Sequence, residues 1–217
     1  MIMNRLNKII VLLGPPGSGK GTQAALLSKK LHIPHISTGD LFRENIKNQT
    51  VLGNLVKSII DSGNLVPDNI VTEMLFDYIA KPVCSKGYLL DGFPRTLSQA
   101  ESLGEFLKGK AELKVCLLDV PDDVIIKRIE GRQTCSTCGN MHNRYYSPSL
   151  KPDVCDLCQG VLIQRSDDKK QVVEDRLKIY HEQTKPLIQY YEDKGILHHI
   201  DGLLSQEAVF NSLLVSD

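Results

Sequence analysis

The segment GPPGSGKGT sets Gly14 before the pair Gly19-Lys20 with four residues between them. Glycines let such a loop take positive φ and bring its N–H groups close to phosphate oxygens. The lysine adds a point charge for the β and γ phosphates. The plainer reading is a glycine-rich turn joining a strand to a helix. The apolar run before the loop and the amphipathic segment after it favour nucleoside triphosphate binding. Gly21 follows the lysine, with Thr22 next, so no hydroxyl stands where a serine or threonine usually touches magnesium.

A second constellation lies mid-chain. Cys135-x2-Cys138 and Cys155-x2-Cys158 supply four thiolates in two pairs, the spacing of a tetrahedral metal site. Four thiolates leave no open position for substrate or water, so the metal, zinc or iron, is structural. His142 sits between the pairs and is superfluous once all four cysteines bind. Disulfides are the minor alternative. Cys84 and Cys116 read as buried packing.

Arginines recur where loops should meet the top of a sheet: Arg43 in STGDLFR, Arg95 in LLDGFPRT, Arg128 and Arg132 in KRIEGRQ, Arg165 in QRSDD and Arg176 in EDRL. Phosphoryl transfer needs charge compensation, alignment and exclusion of water more than covalent chemistry. Any one of these arginines alone reads as a surface residue. Arg95 stands apart, because Asp91-Gly92-Phe93-Pro94-Arg95 follows a buried strand, where open parallel sheets bind ligands. Asp91 could orient hydrated magnesium or an arginine, or simply end a strand. The six histidines are scattered and read as packing or surface residues.

The elements that must position these residues follow a βαβ rhythm. Strands are expected at Lys8–Leu13, His32–Ile36, Tyr88–Asp91, Leu113–Val120 and Ile196–Ile200. Helices are expected at Lys20–Leu31, Gly39–Lys47, Leu52–Ser62, Asp68–Ala80, Ser98–Lys108 (with Ser98 and Glu101 as a capping box), Asp122–Glu130 and Ser205–Leu214. A long helix over Asp167–Tyr191 would carry Asp167 and Asp168 at its positive end, and Pro186 should kink or divide it. Residues 132–163 break the rhythm with their four cysteines, Pro148 and Pro152, and read as an insertion.

With 217 residues the chain can bury a real core, and 26 basic against 26 acidic side chains give no global field toward nucleic acid or anionic lipid. The apolar run from Ile9 is too short for a signal peptide, and nothing approaches a membrane span. A cytoplasmic protein with reduced thiols is expected.

In order and spacing, GPPGSGKGTQ, STGDLFR, LLDGFPRT, the GR before the insertion, RSDD and EDRL resemble the adenylate kinases, over nearly the whole chain. The likeness is to the bacterial long form with a four-cysteine zinc site in its lid. It implies an α/β P-loop fold: a five-stranded parallel sheet flanked by helices, with a core of 1–36, 67–130 and 169–217. A helical AMP-binding flap would span 37–66 and the zinc-binding lid 131–168. The implied reaction is Mg-ATP plus AMP to two ADP by a monomer, without nucleic acid or membrane.

The resemblance also implies roles. Gly17, Ser18, Gly19, Lys20, Gly21 and Thr22 would hold ATP, with Arg132 and the backbone of Leu204. AMP would meet Thr38, Arg43, Asn64, Leu65, Val66, Gly92, Phe93, Pro94, Arg95 and Gln99, the last on its adenine. Arg165 and Arg176 would join them, and Lys20, Arg95, Arg128, Arg132, Arg165 and Arg176 would surround the transferred group. Asp40 and Asp91 would position magnesium-bound water, and GKGT is that family's own form of the loop. Where the family has Tyr-His and then Phe-Asn-Pro-Pro, this chain has His142-Asn143 and then Tyr146-Ser147-Pro148-Ser149.

Two other readings stand beside this one. One is a related kinase with another monophosphate acceptor or GTP as donor. The other is a zinc module on an ATPase scaffold that recognises nucleic acid. The second is weakened by the thin surplus of Arg132, Arg144, Lys151 and Arg165 over Asp153 and Asp156.

Overall fold

A computed structural model describes residues 7–215; residues 1–6 and 216–217 of the expected core segments lie outside the described residues. Five parallel strands, β1 (Asn7–Leu13), β2 (His35–Ser37), β3 (Gly87–Asp91), β4 (Ala111–Asp119) and β8 (Leu197–Asp201), form a sheet in the order β2-β3-β1-β4-β8. Because side chains alternate along a strand, β1 feeds both faces. Ile9, Val11 and Leu13 join Leu90, Val115 and Leu117 in one apolar cluster. Ile10 and Leu12 join Leu89, Cys116, Leu118 and Ile200 in the other. A strand covered on both sides reads as a continuous apolar run, which is why KIIVLL was legible.

The helices are α1 (Lys20–Leu31), α2 (Thr38–Lys47), α3 (Val51–Asp61), α4 (Asp68–Ile79), α5 (Leu97–Leu107), α6 (Asp122–Glu130), α7 (Lys170–Ile179), α8 (Pro186–Asp193) and α9 (Gln206–Val215). Three expectations are corrected. His32 is outside β2 and caps α1 at φ 55°. Helix α5 starts one residue earlier than expected, so its cap is Thr96, whose hydroxyl accepts from the Gln99 N–H; Ser98 and Glu101 make no box. The long helix does not begin at Asp167. Ser166–Asp168 form a 3-10 turn, Lys169 is extended, and α7 starts at Lys170.

Pro186 divides that long helix as expected, with a particular geometry. Proline cannot donate and crowds the carbonyl four residues back. A wide turn, Tyr180–Thr184, precedes it, closed by Lys185 N–H to the Tyr180 carbonyl at 2.8 Å, and Pro186 becomes the first residue of α8.

The insertion carries a small antiparallel sheet of β5 (Arg132–Cys135), β6 (Met141–Asn143) and β7 (Leu162–Ile163), in the order β6-β5-β7. Two matching turns hold the cysteine pairs. Cys135 N–H donates to Asn140 O and Cys155 N–H to Gly160 O, each at 2.9 Å. Gly160 is needed for close approach, since a Cβ there would lie 2.9 Å from the Cys135 sulfur.

Candidate active site

The phosphate loop runs from the end of β1 into α1 on glycines at positive φ, Gly14 at 139°, Gly17 at 79° and Gly19 at 101°. A Cβ on Gly17 would lie 2.7 Å from Ile129 Cγ1, so this glycine also lets α6 pack against the loop. Lys20 folds back and donates through Nζ to the Gly14 and Pro15 carbonyls at 2.7 Å each. Burial pushes its pKa down to about 8, with Asp91 opposing.

One cavity of about 690 Å³ joins this loop to Arg43, Arg95, Arg128, Arg132, Arg165 and Arg176. A second pocket of about 70 Å³ adjoins it, sharing Arg43, Arg95 and Arg176 and lined also by Thr38, Asn64, Leu65, Val66 and Gln99. The arginines are drawn from α2, the β3–α5 loop, α6, β5, the residue just before the 3-10 turn and α7. Burial drives the pKa values of Arg165 and Arg176 down to about 10, and neighbouring arginines add to the effect. Arg95 is lowered for the same leading reason. Crowded buried cations of this kind favour a polyanionic ligand.

Carboxylates hold the forks ready. Asp168 accepts two bonds from Arg132, whose pKa is raised because that partner outweighs burial. Asp167 accepts from Arg176 at 2.7 Å. Burial would raise Asp167, but Arg176 and Arg132 hold it below the usual carboxylate range. These two acids, read from the sequence as helix-terminus charges, are arginine partners. Their place beside Arg165 in RSDD was the available signal.

The remaining residues are placed as follows. Asp40 accepts from Arg43 at 2.5 Å and 3.2 Å, and its side chain is largely exposed. Asp91 is half-buried, 3.5 Å from His35 Nε2. Burial raises its pKa, but the His35 imidazole and Lys20 bring it below the usual carboxylate value. His35 is therefore a site neighbour that the sequence reading left among packing residues. Arg95 Nε and Thr38 Oγ1 both donate to Gly92 O, at 2.8 Å and 2.9 Å. Gln99 donates to Asp68 at 2.7 Å and accepts from the Arg95 N–H at 2.8 Å. The Phe93 ring lies in the apolar core, and Pro94 and Leu204 line the large cavity. The insertion overlies the loop: a Cβ on Gly21 would sit 3.1 Å from Met141 Cε.

The four sulfurs of Cys135, Cys138, Cys155 and Cys158 all lie within 4.8 Å of one another. Zinc–sulfur bonds of about 2.3 Å in a tetrahedron require sulfurs about 3.8 Å apart. Cys135 and Cys158 are 3.4 Å apart and Cys138 and Cys155 3.7 Å, far beyond a disulfide bond. Cys155 is pushed down to about 6; burial opposes this, and His142 with the Cys158 and Leu157 amides outweighs it. The Gly160 amide favours the Cys158 thiolate, yet the Cys138 and Cys135 sulfurs push it up to about 12. Four thiolates so close need a cation, and the donor set fits zinc.

Residues 12–196 match the sequence profile of a family described as adenylate kinase. The adenylate kinase of Clostridium tetani is 49% identical over 207 residues, covering 94% of this chain and 95% of that protein. Those of Caldicellulosiruptor bescii and Acetivibrio thermocellus are each 52% identical, covering 87% and 89% of this chain and 88% and 90% of their own lengths. The chain belongs to the adenylate kinase family. Among the described residues no helix is long and apolar enough to cross a membrane.

Proposed function

We propose that this adenylate kinase family member reversibly transfers the γ-phosphoryl group of Mg-ATP to AMP, giving two ADP. The observation that carries the reading is the shared wall of the two cavities. Arg43, Arg95 and Arg176 border both, so a cationic bridge lies between the phosphate loop and the pocket lined by 64–66 and Gln99.

In this reading residues 17–22 cradle the ATP phosphates through backbone N–H groups, and Lys20 exchanges its loop carbonyls for phosphate oxygens. AMP lies against Thr38, Arg43, residues 64–66, Gly92 and Gln99. Arg95, Arg128, Arg132, Arg165 and Arg176 spread over the charge that develops on the transferred group. Magnesium, when bound, neutralises phosphate charge. Asp91, half-buried beside the loop with its pKa held low, suits its hydration shell better than Asp40, whose carboxylate Arg43 already engages. Residues 37–66 act as the acceptor flap and 131–168 as a lid, whose shape a zinc ion in the four cysteines fixes. The working form is a cytoplasmic monomer that does not need nucleic acid.

A coupled assay with ATP or GTP against AMP, GMP, CMP and UMP, with metal analysis of the same sample, tests this. ATP with AMP should be fastest by more than tenfold, with about one zinc per chain. Faster transfer to another monophosphate, or from GTP, would replace the acceptor or donor named.

A further inference from the structure

We propose that Gln23 is a positioning residue for the donor base: it holds the wall of the cavity against which the adenine of ATP rests. The inference depends on the reading that ATP, held at its phosphates by residues 17–22, reaches the backbone of Leu204 with its base.

Gln23 lies in the first turn of α1, three residues after Lys20, on the neighbouring part of the helix surface. It is only 3% exposed, and it lines the same cavity. Its Nε2 donates to the Gln206 carbonyl at 2.9 Å, across 183 residues of sequence. A carbonyl can only accept, so this bond fixes which end of the amide faces Gln206. Oε1 is left buried with no hydrogen-bond partner, so the side chain's one bond is the link to the start of α9.

That link pins one end of a short strap. At the other end, Gly202 donates to the Asp119 carbonyl at 2.9 Å and accepts from Arg128 Nη2 at 2.8 Å. Between the pins, Leu203 and Leu204 are 54% and 46% exposed and border the cavity. The strap has little packing of its own, so its height above the phosphate loop is set by what holds its ends. Helix α1 therefore carries the phosphate lysine and, one turn on, the amide that sets the separation between phosphate site and base wall.

The test compares two ligands of the free, full-length protein. Inorganic tripolyphosphate reaches the loop and lacks a base, whereas ATP uses both. In Gln23→Met, an unbranched side chain of similar reach without the donor, ATP affinity measured by calorimetry should fall about tenfold, the worth of one lost hydrogen bond and its wall. Tripolyphosphate affinity and the KM for AMP should stay within about twofold. Equal losses for ATP and tripolyphosphate, or no loss for either, would overturn the role given to Gln23. Wild-type protein that binds ATP no more tightly than tripolyphosphate would instead overturn the base-site reading on which it rests.

Discussion

Arg132 Nε donates to Asp168 Oδ2 at 2.9 Å, joining the first residue of β5 to the last residue of the turn that ends the insertion. The Asp168 side chain is fully buried and that of Arg132 nearly so. The start of β5 and the turn that follows β7 are thus tied at the base of the insertion by an ion pair. The pair also aims a guanidinium at the cavity.

Breaking a buried pair by removing one partner leaves a charge without compensation, which costs about 3–5 kcal/mol. Asp168→Ala should lower the unfolding free energy by about that amount in urea denaturation: Arg176, 4.0 Å from the same carboxylate, loses a partner too, and only Asp167 and the weaker Asp40 remain to offset the Arg132 charge. Turnover should fall as well, since the Arg132 fork loses its support. A loss below about 1 kcal/mol would show that the pair is not what ties the insertion's base.

Arg95 sits where both cavities meet and makes its side-chain contact with the Gly92 carbonyl. In Arg95→Ala, kcat should drop by about 10²–10³ through lost compensation of transition-state charge. The melting temperature should change little, because burial of an unneutralised guanidinium disfavours folding here. Near-normal turnover in a folded sample would remove Arg95 from the site.

Lys20 gives a pH signature. Its folded pKa of about 8 lies below its ordinary value of 10.5, so the folded protein carries a penalised ammonium below about pH 8. Stability from this group therefore increases as pH rises from about 8 toward 10.5. Anion binding has the opposite sign, since phosphate favours the charged form. ATP affinity should weaken as pH rises through about 8, and ATP binding should take up about one proton near pH 9 and none near pH 7. Calorimetry in buffers of different ionisation enthalpy reads this directly. No uptake at either pH would mean that Lys20 is fully charged before ATP arrives.

The sheet was legible because strands buried on both faces leave uninterrupted apolar runs, as in KIIVLL and VCLLD. The phosphate loop and the cysteine pairs were legible because their chemistry is local in sequence. What was missed is non-local or set by capping. Asp167 and Asp168 look like helix-terminus charges until the fold brings Arg176 and Arg132 to them. Gln23 shows no signal alone, since its partner is 183 residues away. The α5 boundary slipped because Thr96 and Ser98 both suit a cap, and the Asp68 carboxylate bonding Thr96 and Gln99 decides between them.

The cysteine site separates a structural metal from a catalytic one. Cys155 is fully buried within the insertion, and its sulfur lies 3.7 Å from that of Cys138. Serine there removes one soft ligand and sets a hydroxyl among the remaining sulfurs. Because metal binding and folding of such a site are coupled, Cys155→Ser should lower metal content and thermal stability together. None of the four cysteines lines the cavity, and of the arginines named above only Arg132 shares an element with one of them, β5 with Cys135. Turnover of the variant at low temperature, where the insertion stays folded, should therefore remain within about threefold of the parent, with the difference growing steeply on warming. The measurement pairs zinc analysis and a melting curve with rates at two temperatures. A cool, folded sample that has lost its activity along with its metal would place the metal in the chemistry, against the closed four-thiolate geometry.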